Sequence, residues 1–393
     1  MWSANTLFTL AVVLPPVALF APRGTVVIGA LAAIAALRDR ETRVHARDLL
    51  ISPFGIVLAI ALVWPLATTF WSPDTDRALG VWGSLAAITV AGTILLAAGR
   101  TAANNAPGRV AQGLLVAGVL FGVLATIELA SGRWLTGLVR GSTLVEVMSR
   151  GSAILAIMVF PIAVAAWRRG GVPAAGAFLF ALIGIVVALP MMAAVVAVMA
   201  AVLVGAALWG WPRVGWGALH LGILAAVLLV PPGLLLIDTS GLSYAATGIP
   251  ENWLHRVHMW RFAMERFAEA PIFGWGLDGA RALPGGTAQI PQLNGHAPYL
   301  PLHPHNAAIQ LWVELGVVGA VLAGTIVSFF LTRIRLLHTE RQARAAMAAS
   351  VTAWFVIAEL SFGFWQNWWL AVPWIAAAFW RAIAEPTRPQ RAT

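Results

Sequence analysis

The chain has 393 residues, of which 60% are hydrophobic and 10% charged, with no cysteine and a mean hydropathy of +0.83. Soluble domains carry about a quarter charged residues, so this composition excludes a soluble enzyme, a disordered chain and a disulfide scaffold, and makes lipid the solvent for most of the protein. The net charge of +9 comes from 25 arginines and no lysine, scattered in short clusters rather than laid along a basic stripe, so nucleic acid is not an expected partner; the absence of cysteine removes thiolate chemistry and thiolate metal sites.

Apolar runs that could cross a bilayer recur along the chain: 6–22, 24–37, 49–71, 78–98, 110–130, 152–167, 173–189, 191–208, 216–236, 306–331, 346–364 and 367–383. The expected fold is all-α, a polytopic membrane protein of about twelve helices, with 173–209 open to reading as one helix bent at Pro190. The first run lacks a basic lead and a small-residue cleavage site, and reads as a retained span. Sixteen arginines fall in alternate connections: Arg38, Arg40, Arg43 and Arg47; Arg100 and Arg109; Arg168 and Arg169; Arg213; Arg333, Arg335, Arg341 and Arg344; and the tail Arg381, Arg388 and Arg391. The opposite short loops hold only Arg23 and Arg77, so the arginine-rich side is expected to be cytoplasmic, with both termini on it.

The chain divides into N-terminal helices 1–236, a loop 237–305, and C-terminal helices with a tail, 306–393. Two segments on the far side break the pattern. One is 131–151, with Arg133, Arg140, Glu146 and Arg150. The other is the long loop, which holds His255, His258, His296, His303 and His305, five of eight histidines. Long loops in compact proteins are usually functional or disordered, and the internal patterning of this one favours function.

Within the loop, 251–269 reads as an amphipathic helix. Trp253, Val257, Trp260, Met264 and Phe267 form one stripe, bordered by Arg256 and Arg261, with His255, His258, Glu265, Arg266 and Glu269 on the far face. Bedded at the membrane surface, it would hold both arginines at headgroup level, where guanidinium forks suit phosphate oxygens; the competing reading is a surface helix whose arginines only snorkel. Gly274-Trp275-Gly276-Leu277-Asp278-Gly279 matches G-x-G-x-x-G, but a helix precedes it and Pro284 follows, so it reads as a tight turn with Arg281 beyond, not as a dinucleotide site.

The loop ends in His303-Pro304-His305-Asn306 and passes straight into an apolar helix. Asn306 is a good N-cap, the helix start offers free N–H groups to an anion, and His305 could serve as a general base; the competing reading is a capping histidine without chemistry. His303 and His305 lack zinc-type spacing. Glu314, nine residues past His305, lies on another face and is assigned to structure or to a partner on another helix. Glu128, near a span end, is expected at the interface. Glu359 lies in an apolar run beside Trp365, Trp368, Trp369 and Trp374, which read as an aromatic belt, the competing reading being a face for lipid-linked glycan.

His305-Asn306, nine residues, then Gly316 resembles the His-[Asn/Ser/Gln]-x9-Gly signature of the O-antigen ligase and polymerase superfamily. Arg256-x3-Trp260-Arg261, Pro271-x2-Gly274-x-Gly276 and Ser149-Arg150-Gly151 are similar to further motifs of that family. The resemblance spans roughly 140–330. It implies a GT-C-like fold in the bacterial inner membrane and a metal-independent, inverting glycosyltransfer at the periplasmic face, with no cofactor. The implied donor is a glycan on undecaprenyl pyrophosphate, and the acceptor a hydroxyl of lipid A–core or of another glycan. His305 would be the base, with Arg256 and Arg261 acting on the pyrophosphate; Arg150, Asn306, Arg281 and Trp260 would bind substrate. The turn ALPMMAA departs from the family's serine-rich run there, and Glu146 could pair with Arg150. A ligase and a polymerase share donor and chemistry; a transporter, the third reading, leaves the histidine-bearing loop without a role.

Overall fold

The computed structural model describes residues 1–106, 108–140, 145–293 and 297–384; His296, Arg388 and Arg391 lie outside them. Among the described residues the fold is all helix and turn, with one antiparallel bridge between Gln289 and Pro298. The helices are α1 (Trp2–Phe20), α2 (Thr25–Ala36), α3 (Arg40–Leu50), α4 (Pro53–Thr68), α5 (Thr75–Asn105), α6 (Arg109–Ala130), α7 (Trp134–Arg140), α8 (Val145–Ala188), α9 (Met192–Gly210), α10 (Pro212–Leu228), α11 (Val230–Gly233), α12 (Tyr244–Thr247), α13 (Glu251–Phe267), α14 (Ala307–Arg335), α15 (Arg341–Leu360) and α16 (Asn367–Ala384). Eight are long and apolar enough to cross a bilayer, and α10 with α11 makes a bent ninth. The protein is a multi-pass membrane protein.

The twelve expected runs are all present as helical segments, but not as twelve separate spans. Residues 152–167 and 173–189 belong to α8, which turns sharply at Gly170–Gly171, while a break at 189–191 separates α8 from α9. Only 12 residues long, α2 is about 18 Å at 1.5 Å per residue, too short to span alone.

The first half of α8 is the central post. Residues 152–166 are buried almost without interruption, among side chains of α1, α6, α15 and α16. A helix apolar on every side is stable only when surrounded, and here protein rather than lipid surrounds it. Gly151 lets α8 approach α1: a Cβ there would stand 2.8 Å from the Ala18 carbonyl oxygen.

The arginine-bearing connections converge on one end. Buried hydroxyls of Ser3, Thr42 and Thr101 bond in series, Asn105 donates to Glu41, and the Arg109 guanidinium sits 3.9 Å from the Phe8 ring centre. Arg168 pairs with Glu340, and Arg341 donates to the Gly210 carbonyl. The long loop closes the opposite end. Its α13 packs into a core with Leu283 and Leu300 of the loop and Ile309, Trp312 and Val313 of α14.

That packing corrects the stripe expected for α13. Met264 and Phe267 are buried as expected, but so are Leu254, His258, Met259, Phe262 and Ala263, while Trp253 is exposed. Periodicity found an amphipathic helix; contacts with α14 and the loop rotated and widened its buried face. Two other placements are also corrected. Glu128 is fully buried rather than interfacial, accepting from the Thr136 N–H of α7 at 3.0 Å. Trp365, Trp368 and Trp369 are interior rather than a lipid-facing belt, with Trp369 stacked on Trp354 at 5.9 Å.

Candidate functional site: the α15–α16 turn and the α14 break

The site is built on an interrupted helix. In α14, Gly316 adopts φ 68°, ψ −170°, cutting the helix into a short N-terminal piece, 307–315, and a long C-terminal one. The short piece is buried on every side. Such a break strips neighbouring backbone groups of their helical partners, and inside a membrane protein each must find another. The turn 271–276 supplies them. Trp275 N and Gly276 N donate to the carbonyls of Val313 and Glu314, both at 2.8 Å, and the Val317 and Val318 N–H groups donate to the carbonyls of Pro271 and Ile272 at 2.9 and 3.4 Å. Trp64 Nε1 donates to the Leu315 carbonyl at 3.1 Å.

The two backbones approach so closely that side chains are excluded from both. A Cβ on Gly316 would lie 2.2 Å from the Ile272 carbonyl oxygen, and one on Gly274, itself at φ 71°, would lie 2.5 Å from Glu314. The Gly-rich segment is therefore a clamp on the α14 break. Glu314 reinforces it as the structural residue expected: fully buried, it accepts from Gln310 Nε2 (3.0 Å), Asp278 N (2.8 Å) and Trp365 Nε1, and it does not pair with His305.

At the start of α14, Asn306 is the N-cap: Oδ1 accepts from Ile309 N at 2.8 Å and Nδ2 donates to the Glu359 carbonyl at 3.0 Å. Glu359 Oε2 accepts from Ala308 N at 3.3 Å. This corrects the expectation of an open anion site at this helix start. Two of its N–H groups already have acceptors, one from the cap and one from an internal carboxyl group.

Three consecutive carbonyls at the C-terminal end of α15 hold three side chains. Glu359 holds Asn306, Leu360 accepts from Arg256 Nη1 at 2.6 Å, and Ser361 binds His305 Nδ1. The last carbonyls of a helix lack intrahelical partners and carry its negative dipole end, so they suit a guanidinium and an imidazole N–H. A carbonyl can only accept, so Nδ1 carries the His305 proton and leaves Nε2 as the basic lone pair. His305 sits in the left-handed region at φ 53°, an unusual position for a non-glycine residue, and its backbone N–H donates to His303 Nδ1 at 3.2 Å. The turn is held by Trp260 Nε1 on the Pro304 carbonyl (2.7 Å) and by Gly363, where a Cβ would come within 2.7 Å of the His303 ring.

Burial pulls the His303 imidazole down to about 3, with His305, Arg281 and Arg256 adding to the effect. Burial likewise lowers His305, with Arg256 and His255 adding and the Ser361 carbonyl opposing. Burial also lowers Arg256. Both histidines are therefore held neutral, beside arginine charge.

The expected site residues separate into groups. His305, Asn306, Arg256 and Trp260 meet at the α15–α16 turn. Arg281 is near enough to influence His303, and its Nε bonds Asp278 Oδ1 at 3.2 Å, while Arg77 pairs with the same carboxylate. Arg150 is 3.9 Å from Glu146, as its spacing suggested. The Ser350 hydroxyl donates to the Ile157 carbonyl and Arg168 pairs with Glu340, so α8 and α15 run antiparallel; about two further turns of that register put Arg150 beside Ile357, level with the same turn. Arg261 does not join them. It pairs with Glu265 at 2.8 Å, donates to the Leu234 carbonyl at 3.1 Å, and lines a cavity on another face of α13.

Sequence reasoning missed Leu360, Ser361 and Gly363, which act through backbone and so leave no residue-type signal. The expectation that this side of the protein lacks an acidic Asp-x-Asp pair is corrected by Asp74-Thr75-Asp76, at the N-terminal end of α5. Asp74 caps α5, accepting from Arg77 N at 3.1 Å, and the described residues contain no group of three His, Asp or Glu arranged to hold a metal.

A polytopic helical membrane protein whose long loop clamps a broken helix and builds a histidine–arginine site is the class that fold and site define. Residues 179–324 match the family model described as O-antigen ligase. A protein named "Putative polysaccharide ligase" from Rickettsia conorii is 29% identical over 152 residues, 38% of this chain and 37% of that one; similarly named proteins from Rickettsia felis and Rickettsia prowazekii are 27% and 28% identical over 152 and 151 residues. The matches thus span little more than a third of those relatives' length. Over this segment the chain is similar to the O-antigen ligase family, as the motifs suggested. The matched segment contains His305, Arg256 and Gly316, whereas Arg150 and the α15–α16 turn lie outside it.

Proposed function

We propose that the protein is an O-antigen ligase: an inverting, metal-independent glycosyltransferase that moves a glycan from undecaprenyl pyrophosphate to a sugar hydroxyl of lipid A–core at the periplasmic face of the bacterial inner membrane. The observation that carries this reading is His305, fixed through Nδ1 to the Ser361 carbonyl and kept neutral by burial, with Arg256 beside it. The acceptor hydroxyl gives its proton to Nε2 as its oxygen attacks the anomeric carbon. The bond from that carbon to the pyrophosphate oxygen breaks, and the charge stays on the leaving group. Arg256 keeps donors beyond the one used on Leu360, and with Arg281 and Arg150 it supplies positive charge to the pyrophosphate. The Ser361 carbonyl stabilises the imidazolium formed. GT-C-like geometry is part of this proposal.

Deletion of the gene and gel analysis of lipopolysaccharide test the assignment. Loss of capped core with long chains retained on the carrier is expected; loss of the long chains themselves would sink the ligase in favour of a polymerase using the same donor. His305→Ala should abolish transfer while still inserting and folding, and near-normal transfer in that variant would remove the proposed base.

A further inference from the structure

Beyond the His305 turn, the loop encloses an open cavity of about 670 Å³ on another face of α13, within the range of ligand pockets. Its wall includes Asp238, Arg261, Phe262, Glu265, Gln292 and Tyr299. Three properties identify what it could take. First, two carboxylates face one guanidinium, and Arg261 is already occupied by Glu265 and the Leu234 carbonyl. Hydrogen bonds from the Ser240 N–H and hydroxyl keep Asp238 ionised, its carboxyl held below the usual range. The formal balance is negative, which repels a phosphate or pyrophosphate. Second, Phe262 and Tyr299 stack at 5.1 Å, an aromatic wall of the kind on which the apolar face of a sugar ring can rest. Third, the ionised Asp238 has acceptor capacity beyond its two bonds from Ser240, and Gln292 stands at the same wall with its Nε2 on the Ser240 carbonyl at 3.4 Å. Carboxylate and amide groups at the wall of a ligand-sized cavity suit the hydroxyls of a sugar.

We infer that this cavity is a glycan subsite, binding a short run of sugars through stacking and hydroxyl hydrogen bonds, and that Arg261 belongs to it rather than to the pyrophosphate. The inference rests on the glycosyltransferase reading. Either the glycan of the carrier-linked donor or the sugar core of the acceptor has the required chemistry, and the probes separate them.

The full chain, purified into lipid nanodiscs, would be titrated with two water-soluble fractions from the lipopolysaccharide of the cells that express it, core oligosaccharide and long-chain polysaccharide free of core, each followed by saturation-transfer NMR. One fraction should bind. Gln292→Leu and Asp238→Asn, both at the cavity wall and with unchanged melting curves, should each weaken that binding by about tenfold (~1.4 kcal/mol). Inorganic pyrophosphate should not compete, and His305→Ala should bind as the unmodified chain does. Binding of neither fraction, indifference to both substitutions, or competition by pyrophosphate would overturn the proposal. Transfer persisting in His305→Ala would instead overturn the catalytic reading and leave the binding result standing.

Discussion

Arg256 and Arg261 lie five residues apart on one helix, and their surroundings separate them. At about 100° per residue they point roughly 140° apart. Arg256 turns inward to a backbone carbonyl, beside His305, and no carboxylate among the described residues pairs with it. Arg261 turns to Glu265 and an acidic, aromatic cavity. A guanidinium held only by a carbonyl keeps its full charge for a ligand, whereas one paired with a carboxylate has part of it offset. On the proposed reading, the same residue type on the same helix provides a phosphate-facing charge in one direction and a polar wall for sugars in the other.

The comparison can be broken most directly at Arg256. Arg256→Ala should lower transfer by about 10²–10³-fold, the usual cost of one donor aimed at developing charge, and Arg256→Lys should restore little, because an ammonium cannot hold Leu360 and still present a fork. Reconstituted transfer with purified lipid-linked donor measures both; an equal loss in Arg261→Ala would erase the distinction. Next, Gly316→Ala forces a Cβ into the Ile272 carbonyl at a positive φ, and should cost about 2–3 kcal/mol or more. It should appear as a lower melting temperature in detergent and a transfer defect, since His305 immediately precedes the cap of α14; an unchanged melting curve would show that the clamp is not needed.

The pH profile sharpens the same point. In the proposed mechanism neutral His305 is the active form, and its folded value is lowered, so transfer should hold as pH falls to 6.5 and fail only as pH drops through that lower value. Stability has the same sign. Below about 6.5 the unfolded chain takes up protons that buried His303 refuses until about 3, so melting temperature should decline over that interval. A transfer midpoint at or above 6.5 would contradict the buried, arginine-flanked imidazole. The smallest effect should come from Arg261→Ala, which should raise the apparent KM for the glycan by less than tenfold and leave transfer at saturating substrates near the unmodified rate.

Much of this was legible in the chain. Apolar runs marked the helical segments, and the His305-Asn306 to Gly316 spacing marked the family and the start of α14. Glu314 was read as structural because nine residues put it on another face from His305. Less visible was anything that depended on what lies beside a helix. The tryptophans near 365–369 have the composition of an interfacial belt, but Trp365 is tied to Glu314 and Trp369 stacks on Trp354. Asn306 was recognised as a cap, but the carboxyl group at the same helix start, from Glu359 over fifty residues away, was not.

By itself the sequence determined that lipid surrounds the protein, that its segments are helical, and that one loop carries most of the histidines, because composition and periodicity are local properties. Only the tertiary structure decided that Gly316 breaks α14 and Gly274 clamps the break, that three carbonyls of one helix end hold Asn306, Arg256 and His305, and that Arg261 faces elsewhere. Those outcomes depend on backbone groups, which every residue shares, and on which distant segment arrives to satisfy them.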